Sequence, residues 1–253
     1  MIKSTIENVK PEPQPISDMQ PIVPTSSPVI GNTHVVGSTV YLMDCVEGMK
    51  HYPDKYFDLA IVDPPYGINA DKKNNGKNSD RHEKTSLAKL NKYKTGWDMS
   101  IPDMIYYTEL LRVSKHQIIW GANYFGLKGG YIVWDKKVTM PTYSDGELAF
   151  CSKLNSIKIF EYQWHGMLQG DMKNKEQRIH PTQKPVKLYD WLLKTFAEKG
   201  DRILDTHLGS GSSRISADKA GFDFTGFEND EETYNNQEKR FLQYKSQLRI
   251  EGW

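Results

Sequence analysis

The chain has 253 residues with Lys+Arg 33 against Asp+Glu 32, a balance that excludes a strong global field and leaves any polyanion contact to a local basic patch. That length suits one α/β domain with additions. No apolar stretch is long enough to span a bilayer, Met1 to Gln20 lacks a signal-peptide hydrophobic region, and Cys45 and Cys151 have no metal-ligand spacing; the expectation is a soluble, cytoplasmic protein with reduced core thiols and no metal site.

From Met1 to Gly37 the chain carries Pro11, Pro13, Pro15, Pro21, Pro24 and Pro28 with few aromatics, which predicts an extended or disordered arm, or one that drapes over a partner subunit. The folded part is expected over 38–253. Thr39 to Asp44 reads as a strand ending in an acid, followed by a short helix through Val46 and Met49. Asp44 is open to two readings, a ligand contact at a strand tip or a helix N-cap.

Phe57 to Gly67 is the most informative stretch. An apolar run without helical spacing stops at Asp63-Pro64-Pro65-Tyr66, and proline, which has no N–H for a ladder, ends the strand. Asp63 and Tyr66 are thereby presented on a stiff loop at the carboxyl edge of a sheet, where open α/β folds place ligands. A strand merely closed by a Pro-rich turn is the plainer alternative.

Residues 68–98 are polar and too long for an ordinary connection. Lys72, Lys73, Lys77, Arg81, Lys84, Lys89, Lys92 and Lys94 face Asp71, Asp80, Glu83 and Asp98 there, with Tyr93 and Trp97 interleaved. Such a local positive surplus suits phosphate contacts, and a solvated linker is the other reading. Helical spacing over Pro102 to Ser114 uses Ile105, Leu110, Leu111 and Val113, and strand-like runs follow at 117–120, 131–134, 147–150 and 157–164. These later runs are expected on the far side of the sheet, with an antiparallel pairing at its edge and Trp134, Phe150, Tyr162 and Trp164 in the core.

His180-Pro181-Thr182-Gln183-Lys184-Pro185 opens a helix with Leu188, Trp191, Leu192, Thr195 and Phe196 on one face and Gly200 after it. Arg202 to Asp205 is a strand leading through Thr206-His207-Leu208-Gly209-Ser210-Gly211 into a helix, then a strand ending at Glu228 and a polar helix from Glu231. This is the layout of a nucleoside-binding βαβ unit, in which glycines admit a ligand and the next strand-tip acid takes ribose hydroxyls.

Together, the tetrad at 63–66, the run at 180–185 and the segment from Asp205 to Glu228 resemble the S-adenosylmethionine-dependent DNA amino-methyltransferases. With the tetrad first and the glycines last, the chain is similar to their permuted β subgroup. The resemblance implies a Rossmann-like α/β fold with a mostly parallel sheet and methylation of an exocyclic amine on a flipped base, adenine being favoured because Asp stands at 63. It also implies that the Asp63 carboxylate and Pro64 carbonyl accept the amine's hydrogens, followed by Pro65, with Tyr66 stacking on the base. Asp205, Gly209 and Gly211 would border the methionine part of S-adenosylmethionine, Glu228 its ribose, Asp44 its adenine, and His180, Thr182 and Lys184 its carboxylate. Lys72, Lys73, Lys77 and Arg81 would touch double-stranded DNA, and a homodimer is a further implication. The chain departs from the family at Thr206-His207, where Pro-Phe is usual.

Overall fold

The computed structural model describes residues 37–69, 98–139, 144–165 and 168–251. The expected arm over 1–37, apart from Gly37, and the basic residues Lys72, Lys73, Lys77 and Arg81 lie outside the described residues. In chain order the strands are β1 (Ser38–Leu42), β2 (Phe57–Val62), β3 (Ser114–Trp120), β4 (Gly130–Asp135), β5 (Gly146–Cys151), β6 (Ile157–Glu161), β7 (Trp164–His165), β8 (Leu168–Gln169), β9 (Arg202–Asp205) and β10 (Asp223–Glu228). The helices are α1 (Cys45–Met49), α2 (Met104–Val113), α3 (Ala122–Phe125), α4 (Val186–Phe196), α5 (Ser212–Ala220) and α6 (Glu231–Glu251).

Eight strands form one sheet in the order β1-β10-β9-β2-β3-β5-β4-β6. β2 reads as a near-continuous apolar run because helices cover both of its faces. Leu59 and Ile61 pack in one layer with Ile118, Trp120, Ile203 and the α4 residues Leu188 and Leu192. Ala60 and Val62 point the other way, to Tyr106, Leu110 and Val113 of α2 and Met49 of α1.

The sheet is an α/β arrangement with all neighbours parallel except those of β5, which is antiparallel to both β3 and β4. The reversed strand was expected at an edge and instead stands third from it. Strand alternation identifies β5 as a strand but carries no information on which neighbours it slots between. In α2 the buried face is Tyr106, Leu110 and Val113, whereas Ile105 and Leu111 of the expected apolar stripe are exposed. α4 likewise buries Tyr189 and Leu193 and leaves Thr195 exposed. Cys45 and Cys151 are buried free thiols. No helix among the described residues is long and apolar enough to cross a membrane.

The ends of β2 and β9 adjoin in mid-sheet, with Ala60 paired to Leu204. From β9 the chain runs through α5 to β10 on one side, and from β2 through α2 to β3 on the other. Connections that diverge in this way open a crevice beyond the strand ends.

Candidate active site

Asp63 is three residues past Ala60 and Asp205 one past Leu204, so the tetrad overhangs the glycine turn at the crevice. The loop after β2 is fixed by Asp98, which is 1 % exposed and whose Oδ1 accepts hydrogen bonds from Tyr66 N at 2.7 Å and Gly67 N at 2.8 Å. Asn69 N also donates to the Asp98 carbonyl at 3.0 Å, which ties residues 69 and 98 together beside the tetrad.

Tyr66 donates its hydroxyl proton to Asp63 Oδ1 at 2.5 Å. Tyr124 stacks on the ring at a centroid distance of 5.0 Å, and Gly121 abuts it. A Cβ on Gly121 would sit 2.4 Å from Tyr66 Cε1, and its φ of +79° further restricts the position to glycine.

Lys184, placed by the segment before α4, is the centre of charge. Its side chain is 3 % exposed and its ammonium pairs with Asp63 Oδ2 and, at 3.0 Å, with Glu147 Oε2. The Glu147 contact is close enough for an ion pair without hydrogen-bond alignment. Burial opposes the charge on Lys184, but the two carboxylates outweigh it and raise its pKa. Burial pushes Asp63 above the usual carboxylate range, a rise that Lys184 opposes and the Glu147 charge reinforces. Glu147 feels the same burial, yet Lys184 and Lys136 hold it down at about 2.

Two cavities meet here. One of about 380 Å³ is lined by Asp63, Pro64, Tyr66, Asp98, Tyr124 and Glu147 among others. The other, of about 520 Å³, is lined by His180, Thr182, His207, Gly209 and Glu228 among others. Asp63, Pro65, Thr182 and Lys184 belong to both walls.

In the larger cavity Gly209, at φ +53°, donates its N–H to Glu228 Oε2 at 2.9 Å, and Asp230 N donates to Oε1 at 3.0 Å. Burial raises the Glu228 pKa. Thr182 Oγ1 lies 3.2 Å from His180 Nδ1, and burial, helped by the Lys184 charge, lowers His180 to about 4. The turn is braced from behind: Arg240 donates to the Ser210 carbonyl at 2.7 Å and pairs with Glu176 at 2.8 Å, while Glu176 accepts from Val186 N at the start of α4.

Not every expected residue lines these cavities. Asp205 is 2 % exposed, with its oxygens occupied by Ser213 Oγ at 2.5 Å and His207 N at 3.1 Å, so it supports the turn from inside; burial pushes its pKa up to about 7. Gly211 forms the α5 N-cap and lies off the wall. Asp44 caps α1, accepting from Val46 N at 2.8 Å and Glu47 N at 3.1 Å, which is the N-cap alternative open in the sequence. The Lys184 ammonium, expected beside a ligand carboxylate, is paired with protein acids. Sequence reasoning misses Glu147 and Tyr124 and counts Asp98 only as one acid of a polar run. No signal in the sequence sets Asp98 apart, since irregular chain separates it from α2. No group of three or more His, Cys, Asp or Glu among the described residues is arranged for a metal ion.

The model of a protein family described as DNA methylase matches residues 104–239. The chain is 25 % identical over 249 residues to the type II methyltransferase M2.MboI of Moraxella bovis, with 84 % of this chain and 90 % of that one covered. It is 22 % identical over 250 residues to the type II methyltransferase M.HinfI of Haemophilus influenzae, covering 82 % of this chain and 69 % of that one. Among solved structures, the cytosine-N4-specific PvuII DNA methyltransferase superposes with a TM-score of 0.53 at 12 % identity, covering 81 % of this chain and 87 % of that one. A putative DNA modification methylase of Thermus thermophilus superposes with a TM-score of 0.51 at 13 % identity, covering 82 % and 95 % respectively. These likenesses show a Rossmann-like methyltransferase fold. With the family match spanning more than half of its length, the chain belongs to the DNA methylase family.

Proposed function

We propose that the protein transfers a methyl group from S-adenosylmethionine to the exocyclic N6 amino group of an adenine turned out of double-stranded DNA. The observation that carries this reading is the junction of the two cavities at Asp63, Pro65, Thr182 and Lys184, which gives a donor and an acceptor molecule adjoining pockets with one carboxylate between them. A volume of about 520 Å³ falls in the range of small-molecule sites. Its lining fits an adenosyl compound: Glu228 is a strand-tip acid for ribose hydroxyls, and Gly209 leaves room for a close backbone approach. His180 and Thr182 also line this cavity. When bound, S-adenosylmethionine supplies an electrophilic methyl group on a good leaving group.

The chain's own residues position and deprotonate the nucleophile. An exocyclic amine is weakly nucleophilic because its lone pair is shared with the ring; Asp63 and the Pro64 carbonyl, accepting its two hydrogens, draw the nitrogen toward tetrahedral geometry. Both Asp63 oxygens are engaged, by Lys184 and Tyr66, so the entering amine shares an oxygen with one of these donors or replaces it. Glu147 offers Lys184 another carboxylate on which to remain. As the nitrogen gains the methyl group it sheds a proton, and the Asp63 carboxylate is placed to take it. Tyr66 and Tyr124 form the aromatic wall for the base, which is unreachable inside the duplex. Lys72, Lys73, Lys77 and Arg81 would hold DNA phosphates, and a homodimer, which sedimentation would detect, is implied by the family resemblance.

The likeness to a cytosine-N4-specific fold keeps the 4-amino group of cytosine as a second reading, whereas Asp at 63 favours adenine. Transfer of labelled methyl to unmethylated DNA, with nucleoside analysis, separates them. N6-methyladenine is expected; label in N4-methylcytosine supports the second reading, and unlabelled DNA ends both.

A further inference from the structure

His207 stands where the family usually has an apolar ring, and it lines the larger cavity. Its Nδ1 is 2.9 Å from Thr206 Oγ1, which is 2.8 Å from the hydroxyl of Tyr106. Thr206 and Tyr106 are each 2 % exposed, so the two hydroxyls behind His207 are sealed from solvent.

The order of donors along the chain is fixed by counting protons. If Tyr106 donates to Thr206 and Thr206 donates to Nδ1, every buried proton has an acceptor. If Nδ1–H donates instead, either the Thr206 or the Tyr106 hydroxyl proton is stranded, since Tyr106 has no other acceptor among the described residues. A stranded buried donor costs its full desolvation, so the first arrangement prevails. Burial also keeps the phenol protonated and the imidazole neutral. Neutral imidazole that accepts at Nδ1 carries its proton on Nε2. That atom has no hydrogen-bond partner among the described residues and is not sealed, and its side chain lines the larger cavity.

We propose that His207 is a binding residue of the donor cavity, its Nε2–H donating a hydrogen bond to an acceptor atom on the nucleoside half of the bound donor. The proposal rests on the assignment of that cavity to S-adenosylmethionine. Thr206 is a positioning residue that holds the tautomer, which gives both departures from the family pattern one explanation.

The test is calorimetric titration of the full chain with S-adenosylhomocysteine. His207→Phe, which keeps an aromatic ring but removes the donor, is expected to bind about three- to tenfold more weakly. Thr206→Val should weaken binding by about two- to threefold, through loss of the fixed tautomer. Equal affinity of the wild type and His207→Phe would overturn the role of His207 while leaving the cavity assignment intact, whereas no binding by the wild type overturns both. A measurement on the unmutated protein guards against misfolding of the variants: with isotope-labelled histidine, NMR at neutral pH should report His207 as the Nε2–H tautomer and a shift of that resonance on adding S-adenosylhomocysteine. An Nδ1–H tautomer, or an unmoved resonance at saturation, also overturns the proposal.

Discussion

The ammonium of Lys184 is paired with the carboxylate of Asp63 across 121 residues of sequence, inside a wall shared by two cavities. Removing that cation leaves Asp63 and Glu147 as neighbouring acids with one fewer positive charge between them. Lys184→Met should therefore move the acid limb of the rate–pH profile upward, because Asp63 then retains its proton to higher pH. It should also destabilise the fold by about 3–5 kcal/mol, the cost of leaving buried charge unpaired. Adding Glu147→Gln to Lys184→Met should recover part of that stability in urea unfolding. An acid limb that stays in place in Lys184→Met would show that the lysine does not govern Asp63.

Asp63→Ala should lower kcat by about a hundredfold or more while leaving S-adenosylhomocysteine affinity within about threefold of the wild type. The separation is expected because Lys184 retains Glu147 as a partner and Glu228 with Gly209 is untouched. Parallel loss of binding and turnover would make Asp63 a structural residue.

Asp98 holds two backbone N–H groups of the tetrad loop from a buried position. Hydrogen bonds to a charged acceptor contribute about 1.5–3 kcal/mol each, so Asp98→Ala should cost about 3–6 kcal/mol of stability and reduce kcat through a loosened Tyr66. Asp98→Asn, which keeps one acceptor oxygen, should cost less. The measurement is a denaturant melt paired with single-turnover methylation; identical melts for Asp98→Ala and the wild type would refute the bracing role.

The stability–pH profile should contain two opposing contributions. Burial lowers His207 to about 4 from the ordinary 6.5, so between these values the unfolded chain binds the proton and the native state does not. Stability on this account is present above 6.5 and is lost as pH falls toward 4. Asp205 has the opposite sign. Its pKa rises to about 7 from the ordinary 3.8, so the native state keeps a proton that the unfolded chain releases, and stability falls as pH rises through that window. Urea midpoints across the range should show a shallower acid-side loss for His207→Phe and a shallower fall with rising pH for Asp205→Asn. Unaltered slopes would mean that neither group titrates differently on folding.

Neutralising Lys72, Lys73, Lys77 and Arg81 together should weaken DNA binding and reduce the slope of log affinity against log salt by about 3–4, at about 0.9 per phosphate contact. Filter binding over a salt series measures this directly. A slope equal to that of the wild type would remove these four residues from the interface.

The sequence determined the local pieces. Pro64 and Pro65 end β2 whatever surrounds them, since neither can donate to a ladder, and the apolar run before them is buried on both faces. The turn from Asp205 to Gly211 and the acid at Glu228 were legible for the same reason: glycine freedom, strand alternation and helix spacing are properties of adjacent residues. The placement of β5 and the pairing of Lys184 were decided elsewhere. Alternation marks Gly146–Cys151 as a strand, yet only its insertion between β3 and β4 brings Glu147 to Lys184. The burial of Asp98 came only with the tertiary structure, whereas the cap made by Asp44 is a local contact that the sequence already offered as one of two readings. Backbone preference is set within a few residues, but which charge meets which depends on the strand ends that adjoin, and that order is a property of the whole sheet.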